Sequence, residues 1–310
     1  MVINFSKELN IGIKAVMKAA LICQIVQQQK MTFITKADLS PVTVADMASQ
    51  ATINLEIKNN FPNDPIISEE TSLDLDAFMK AEIADLTGIN HESIEDLIDY
   101  NSNASISDRW WTIDPIDGTK GFINGRQYAI CLALLLKDKV KVAIIGCPNL
   151  NGGTLFYAVE GEGSWEMPLT GGEAKRISVS DNTHDLVMVE SVEKAHSSHS
   201  ASIDIAKKLN ITRETLRIDS QAKYGIVARG DASMYLRIHT VKTYQEKVWD
   251  HAAGVLLVRE AGGVVTDWTG QDVVFEIGNP FLKAKGGVIC CNSVNYLDLL
   301  VGANSRHSEV

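Results

Sequence analysis

Paired cysteines, long apolar runs and an excess of basic residues are all missing from this sequence. Its five cysteines (Cys23, Cys131, Cys147, Cys290 and Cys291) are odd in number, form no C-x-x-C and stand among apolar neighbours. That pattern argues for buried reduced thiols in a cytoplasmic protein rather than a disulfide framework. The apolar runs are short. "AICLALLL" (129–136) stops at Lys137 and "VAIIGC" (142–147) stops at Pro148, so neither approaches a membrane span. The N-terminal "MVINFSKELN" has no basic segment followed by an apolar one, so no signal peptide is expected. Lys and Arg number 29 against 39 Asp and Glu, a formal net charge of −10. This argues against nucleic acid or an anionic membrane as the main partner. A small anion is still possible, because metal ions or a few lysines can invert the sign locally.

Several motifs are absent too. There is no G-x-x-x-x-G-K-[ST] phosphate loop, no EF-hand loop, no H-E-x-x-H and no Cys/His cluster for zinc. His196 and His199 lie three apart in "AHSSHS", but no cysteine or third histidine stands near them. They read as a substrate contact or plain surface histidines.

What is present is an ordinary soluble composition, 45% hydrophobic and 22% charged over 310 residues, enough for one large or two smaller domains. Helical spacing predicts a helix over 6–30, and a second over 40–61 with Pro41 near its start. A short strand, "PIISEE" (65–70), ends in acids, and the acid-rich stretch 74–103 reads as one or two surface helices. Strands then follow one another directly: 110–113, two joined at Lys137–Asp138–Lys139, and a hairpin turning at Gly161–Gly163. That half is an antiparallel sheet with helices on it. After about residue 178, strands at 186–192, 215–219, 234–238, 263–267 and 287–292 alternate with helices at 200–210, 221–230 and 248–262. The fold class is therefore α/β, an α+β N-terminal half (1–175) and an α/β C-terminal half (176–310), with the boundary within 170–182.

The stretch "WTIDPIDGTKGF" (110–121) carries the chemistry. A strand ends in Asp114, a Pro-Ile pair forces a turn, and Asp117 follows. Side chains at a strand end project into the crevice where such sheets bind ligands. Two converging carboxylates repel unless a cation sits between them, and oxygen-only ligands favour Mg²⁺ or Ca²⁺. Gly118 permits close backbone approach, and the amides of Gly118, Thr119 and Lys120 would form a phosphate site. Alone, "DPIDG" is also simply a good turn. Further acids stand at Glu69 and Glu70 ("ISEE"), at Asp250 ("VWDHAAG"), which alone reads as a helix-capping acid, and at Asp46, which alone reads as a solvated helix face.

Together, "SEE", "DPIDGT" and "WDHAAGVLLVREAGG" resemble the inositol monophosphatase superfamily of Mg²⁺-dependent, Li⁺-sensitive phosphatases, over nearly the whole chain. Within it, "WTIDPIDGTKGF", "GCPNL", "HSSHS", "DSQAKY" and "TYQEKVWDHAAG" are most similar to the 3′(2′),5′-bisphosphate nucleotidases. "INGRQYA" (123–129) departs from that branch at Asn124 and Arg126, where it tends to carry an arginine and an acid.

The resemblance implies a layered αβαβα sugar-phosphatase-like fold and two to three Mg²⁺ ions. Glu69, Asp114 and the Ile116 carbonyl would hold one ion, and Asp114, Asp117 and Asp250 a second. A third, looser ion would lean on Glu69. Asp46 and Thr119 would form the pair that takes a proton from the attacking water, and the amides of Gly118 and Thr119 would grip the phosphate. His196, Ser220, Lys223 and Arg237 match positions that contact the nucleotide and its second phosphate. Without the resemblance, Lys223 reads as a solvated helix face and Arg237 as a strand-end charge.

The implied reaction is removal of the 3′-phosphate from adenosine 3′,5′-bisphosphate by direct attack of metal-activated water, with 3′-phosphoadenosine 5′-phosphosulfate as a further substrate. Inhibition by Li⁺ and by Ca²⁺ and a monomeric state are expected with it. The alternatives are an inositol polyphosphate 1-phosphatase, an inositol monophosphatase, or an inactive phosphate-binding regulator. An aspartyl-phosphate mechanism is excluded, because its signature sets the aspartates two apart, D-x-D-G-T, and here they are three apart.

Overall fold

The structure is a computed structural model. It describes residues 4–29, 33–35, 41–100, 107–192, 199–239, 241, 243–292, 296–297 and 300. The chain opens with helix α1 (Ser6–Gln29), a small antiparallel hairpin of β1 (Phe33–Thr35) and β2 (Pro41–Thr43), and helix α2 (Val44–Asn60). Pro41 thus lies in a strand rather than at a helix start. The helix begins where Thr43 caps it: the Thr43 hydroxyl accepts from the Asp46 amide, and the Asp46 carboxylate accepts from the Thr43 amide.

Strand β3 (Ile66–Ser68) and the short helices α3 (Ala77–Thr87) and α4 (Ile94–Ile98) follow. The two helices are not purely superficial. Met79, Ile83, Ile94, Leu97 and Ile98 are buried against Val44, Met47, Ala48 and Ala51 of α2. Next come β4 (Arg109–Asp117), α5 (Thr119–Ile123), β5 (Ala129–Leu136), β6 (Lys139–Cys147), β7 (Thr154–Val159), β8 (Gly163–Pro168) and β9 (Lys175–Ile177). Strands β3 to β9 form one seven-stranded sheet in sequence order, antiparallel except for the parallel β3–β4 pair.

The second sheet holds β10 (Met188–Glu190), then after α6 (His199–Lys208) β11 (Leu216–Arg217), then after α7 (Ala222–Ala228) β12 (Met234–Ile238), and, beyond α8 (Ala252–Glu260), β13 (Val264–Asp267) and β14 (Gly287–Cys291). Its order is β11-β10-β12-β14-β13, parallel across the first three strands and antiparallel across the rest.

Alternation along β4 to β6 sorts side chains into two cores. Trp111, Ile113, Leu132, Leu134 and Ile144 face α1 and α2. Trp110, Cys131, Leu135 and Ile145 face the opposite way, onto α7, α8 and the inner side of the second sheet. The outer side of that sheet packs on α6 through Met188, Met234, Ile289 and Ile205. Both faces of both sheets are therefore covered, which gives five layers, αβαβα. It also explains why β5 and β6 read as continuous apolar runs. Between the sheets α7 and α8 pack closely: a Cβ on Gly254 would lie 2.2 Å from the Tyr224 ring.

By length and composition α1 is apolar enough to cross a membrane, although Lys14 and Lys18 interrupt it. In the fold its Ala15, Val16, Ala19, Ala20 and Cys23 are buried against α2 and the sheet.

Candidate active site

Strand β4 does not end at Asp114 but runs through Pro115 to Asp117. Asp114 pairs with Cys131 and Asp117 with Ala129, so three steps on β4 match two on β5. Residues three apart on a regular strand point to opposite faces. The extra residue of this bulge turns both carboxylates toward one side, and the two now repel each other. The predicted turn is thus a bulge inside the strand.

Glu69 follows Ser68, which pairs with Ile113, so it emerges beside Asp114 and interacts with it directly. Helix α2 pins both segments. The Ser49 hydroxyl donates to the Pro115 carbonyl at 2.9 Å. The Gln50 side chain donates to the Glu70 carbonyl (2.8 Å) and accepts from the Glu70 amide (3.1 Å).

Asp250 lies in a turn just before α8. It does not cap the helix; His251 occupies that position. Gln221 ties this turn to Asp117. Its amide donates to Asp117 Oδ2 at 2.6 Å, and its side chain donates to the Trp249 carbonyl at 2.8 Å.

Four acids therefore share one crevice. Burial raises the Asp114 carboxyl well above its usual range, and Glu69, Asp117 and Asp250 push it further. Burial and Asp250 lift Asp117 to about 6, against the pull of Lys223 and Arg237. Asp250 is also raised, chiefly by burial, although Arg237 opposes the shift. Asp114 Oδ1 is buried with no hydrogen-bond partner among the described residues. A buried, unpartnered carboxylate oxygen among like charges is costly. A hard divalent cation would relieve it, so this donor set fits Mg²⁺.

The remaining predicted residues divide. Asp46 is buried, 1% exposed, rather than on a solvated face; its carboxylate accepts from the Thr43 amide and hydroxyl. The Thr119 hydroxyl donates to the Ile116 carbonyl at 3.3 Å. Gly118 (φ 88°) precedes α5, and Ser220 also has positive φ (75°). The two meet: a Cβ on Gly118 would sit 3.4 Å from Ser220 Cβ. Lys223 is buried in α7, its ammonium donating to the Ser220 carbonyl at 2.8 Å, and burial lowers its pKa to about 8. Arg237, on β12, reaches Asp250 Oδ2 at 3.3 Å. Neither cation is on a solvated face. His196 lies outside the described residues.

The residue-by-residue reading missed Glu246. This fully buried carboxylate accepts from Arg237 Nε (2.8 Å), His239 Nε2 (2.8 Å) and His251 Nε2 (2.9 Å). Burial alone would raise its carboxyl, but Arg237 and His251 hold it well below the usual range. Ligand atoms of Glu246, Asp250 and His251 lie within 4.8 Å of one another, close enough for a metal. The Arg237 guanidinium already bridges Glu246 and Asp250, however, so the trio is compensated by an organic cation. The only available signal was the spacing in "EKVWDH", an acid and a histidine flanking the expected ligand.

The model of the inositol monophosphatase family matches residues 2–309, and the chain belongs to that family. That membership makes it a phosphatase, and a metal-dependent one. The chain is 40% identical to 3′(2′),5′-bisphosphate nucleotidase 2 of Candida albicans, covering 93% of this chain and 94% of the relative. It is 41% identical to the 3′(2′),5′-bisphosphate nucleotidase of Oryza sativa, covering 93% and 91%. Among solved structures it is similar to the IMPase of Thermotoga maritima, with TM-score 0.69, 25% identity and coverage of 98% and 99%.

The electrostatics predict a pH dependence. Asp114 and Asp117 titrate above the unfolded aspartate value of about 3.9. Between about pH 4 and 6 the folded, metal-free protein therefore holds more protons than the unfolded chain, and stability falls as pH rises. Glu246 acts in the opposite sense, but only as pH falls below the usual carboxylate range. The melting temperature of metal-free protein should drop from pH 5 to pH 7, and Asp114→Asn should flatten the drop. A constant or rising melting temperature across that range in the unmutated protein would contradict the cluster.

Proposed function

We propose that this chain is a 3′(2′),5′-bisphosphate nucleotidase that removes the 3′-phosphate of adenosine 3′,5′-bisphosphate, giving AMP and phosphate. It also accepts 3′-phosphoadenosine 5′-phosphosulfate. The observation that carries this reading is the pair of buried cations, Lys223 and Arg237, set beside the four acids. Hydrolysis of a single phosphate needs the acids and their cations. Two further positive side chains suit a substrate with a second phosphate. The near-full-length similarity to bisphosphate nucleotidases supports the same choice.

In this reading Glu69, Asp114, Asp117, Asp250 and the Ile116 carbonyl hold two to three Mg²⁺ ions. When bound, the ions neutralise charge on the phosphate and make water a stronger nucleophile. The amides of Gly118 and Thr119 hold the phosphate oxygens. The Asp46–Thr119 pair orients the attacking water and takes its proton, and water attacks phosphorus directly. Packing supports this pairing, because α5 lies against β2, next to the start of α2. The 5′-phosphate rests on Lys223 and Arg237 through charge-assisted contacts, and Ser220 and His196 contact the nucleotide. Ca²⁺ inhibits because it takes longer bonds and more ligands; Li⁺ inhibition belongs to the same proposal. Five free, buried cysteines support a cytoplasmic location.

Phosphate release from adenosine 3′,5′-bisphosphate in Mg²⁺ buffer, compared with inositol phosphates, tests the assignment. Lys223→Ala should lower kcat/KM for the bisphosphate relative to an inositol monophosphate by about tenfold or more, the loss of one charge-assisted contact. Equal losses on both substrates would return the assignment to a general phosphomonoesterase.

A second expectation concerns the proton. Thr119→Ala should lower kcat by about 10²–10⁴-fold with little change in KM. Adding Asp46→Asn should cost much less than its separate effect. Fully additive losses would dissolve the pair.

A further inference from the structure

Glu246 is a buried charge to which the reaction gives no role. Three elements converge on it. Arg237 comes from β12, His251 from the start of α8, and Tyr224 from α7 through a 2.7 Å bond to His251 Nδ1. With the Tyr224 hydroxyl donating to Nδ1, the hydrogen of His251 sits on Nε2 and meets Glu246. His251 adjoins Asp250, and Tyr224 adjoins Lys223. The carboxylate thus links Arg237 to the segment that carries Asp250.

The bland reading is an internal ion pair that stabilises the fold. Buried ion pairs are weak evidence for stability, because desolvation offsets most of the attraction. What Glu246 provides, and an apolar side chain would not, is a hold on one edge of the guanidinium. The Arg237 Nε edge is taken at 2.8 Å. The Nη2 atom donates to the Tyr244 hydroxyl at 3.2 Å and to Asp250 Oδ2 at 3.3 Å. Glu246 and Asp250 thus hold the guanidinium from two sides. Without Glu246 the Nε edge loses its charged partner, the guanidinium can turn about its contact with Asp250, and its fixed direction toward an incoming anion is lost.

We propose that Glu246 is a positioning residue for substrate discrimination: it holds Arg237 by its Nε edge, so that the guanidinium, paired also with Asp250, keeps one fixed direction for the second phosphate. The proposal rests on the reading of Arg237 as the contact for that phosphate.

The test compares kcat/KM for adenosine 3′,5′-bisphosphate with that for adenosine 3′-phosphate, which lacks the second phosphate, at one Mg²⁺ concentration. Glu246→Gln should lower the ratio about tenfold, mainly through KM for the bisphosphate. In an Arg237→Ala background, Glu246→Gln should lower the ratio no further. Equal losses on both substrates, or additive losses of the ratio, would overturn the positioning role. If Arg237→Ala leaves the ratio unchanged, the underlying reading of Arg237 fails and this proposal with it. If Arg237→Ala lowers the ratio and Glu246→Gln does not, only the proposal fails. Should Glu246→Gln not fold, Arg237→Lys decides. Glu246 keeps a cationic partner there, but a single ammonium cannot serve both Glu246 and a phosphate. The ratio should then fall as far as in Arg237→Ala, and a retained ratio overturns the proposal.

Discussion

Four carboxylates in one crevice repel one another, and the rest of this architecture answers that repulsion. Glu69, Asp114, Asp117 and Asp250 come from three separate segments of the chain. Burial and mutual charge raise Asp114, Asp117 and Asp250 above their ordinary range. No folded protein gains stability from such a grouping by itself. It persists because the surrounding packing imposes it, which is the usual sign of a site selected for chemistry rather than for stability.

The imposition is visible atom by atom. A one-residue bulge in β4 brings Asp114 and Asp117 to one side. Ser49 and Gln50, neighbours on α2, grip the Pro115 carbonyl and the Glu70 backbone. Gln221 joins the Asp117 carboxylate to the turn that carries Asp250. These polar side chains are buried and hydrogen-bonded, so each fixes a direction as well as occupying space. Lys223, Arg237 and Glu246 then form a second charged layer behind the acids, cation against anion, which keeps the net charge of the crevice from growing further.

Much of this was legible in the sequence. The strand and helix order of the C-terminal half followed from alternation and apolar spacing, and the acids at 69, 114, 117 and 250 stood near element ends, but their grouping into one metal site came from resemblance. Four things were not legible. Pro115 reads as a turn because proline seldom sits inside a strand, and only the pairing with β5 reveals a bulge. Pro41 reads as a helix start, but the Thr43–Asp46 cap sets that start at Val44. Glu246 and Gln221 were silent because their roles depend on contacts between segments far apart in sequence. Lys223 and Arg237 carried no signal of burial in their own neighbourhoods, and their importance came from resemblance alone.

The central claim is that these acids are held in readiness for divalent cations, and proton release on binding tests it most directly. Calorimetric titration of metal-free protein with Mg²⁺ at pH 6, repeated in buffers of different ionisation enthalpy, counts protons displaced from the raised carboxyls. The account predicts a clear buffer dependence at pH 6, where Asp117 is still partly protonated. Binding with no buffer dependence at pH 6, or no binding at all, would contradict it.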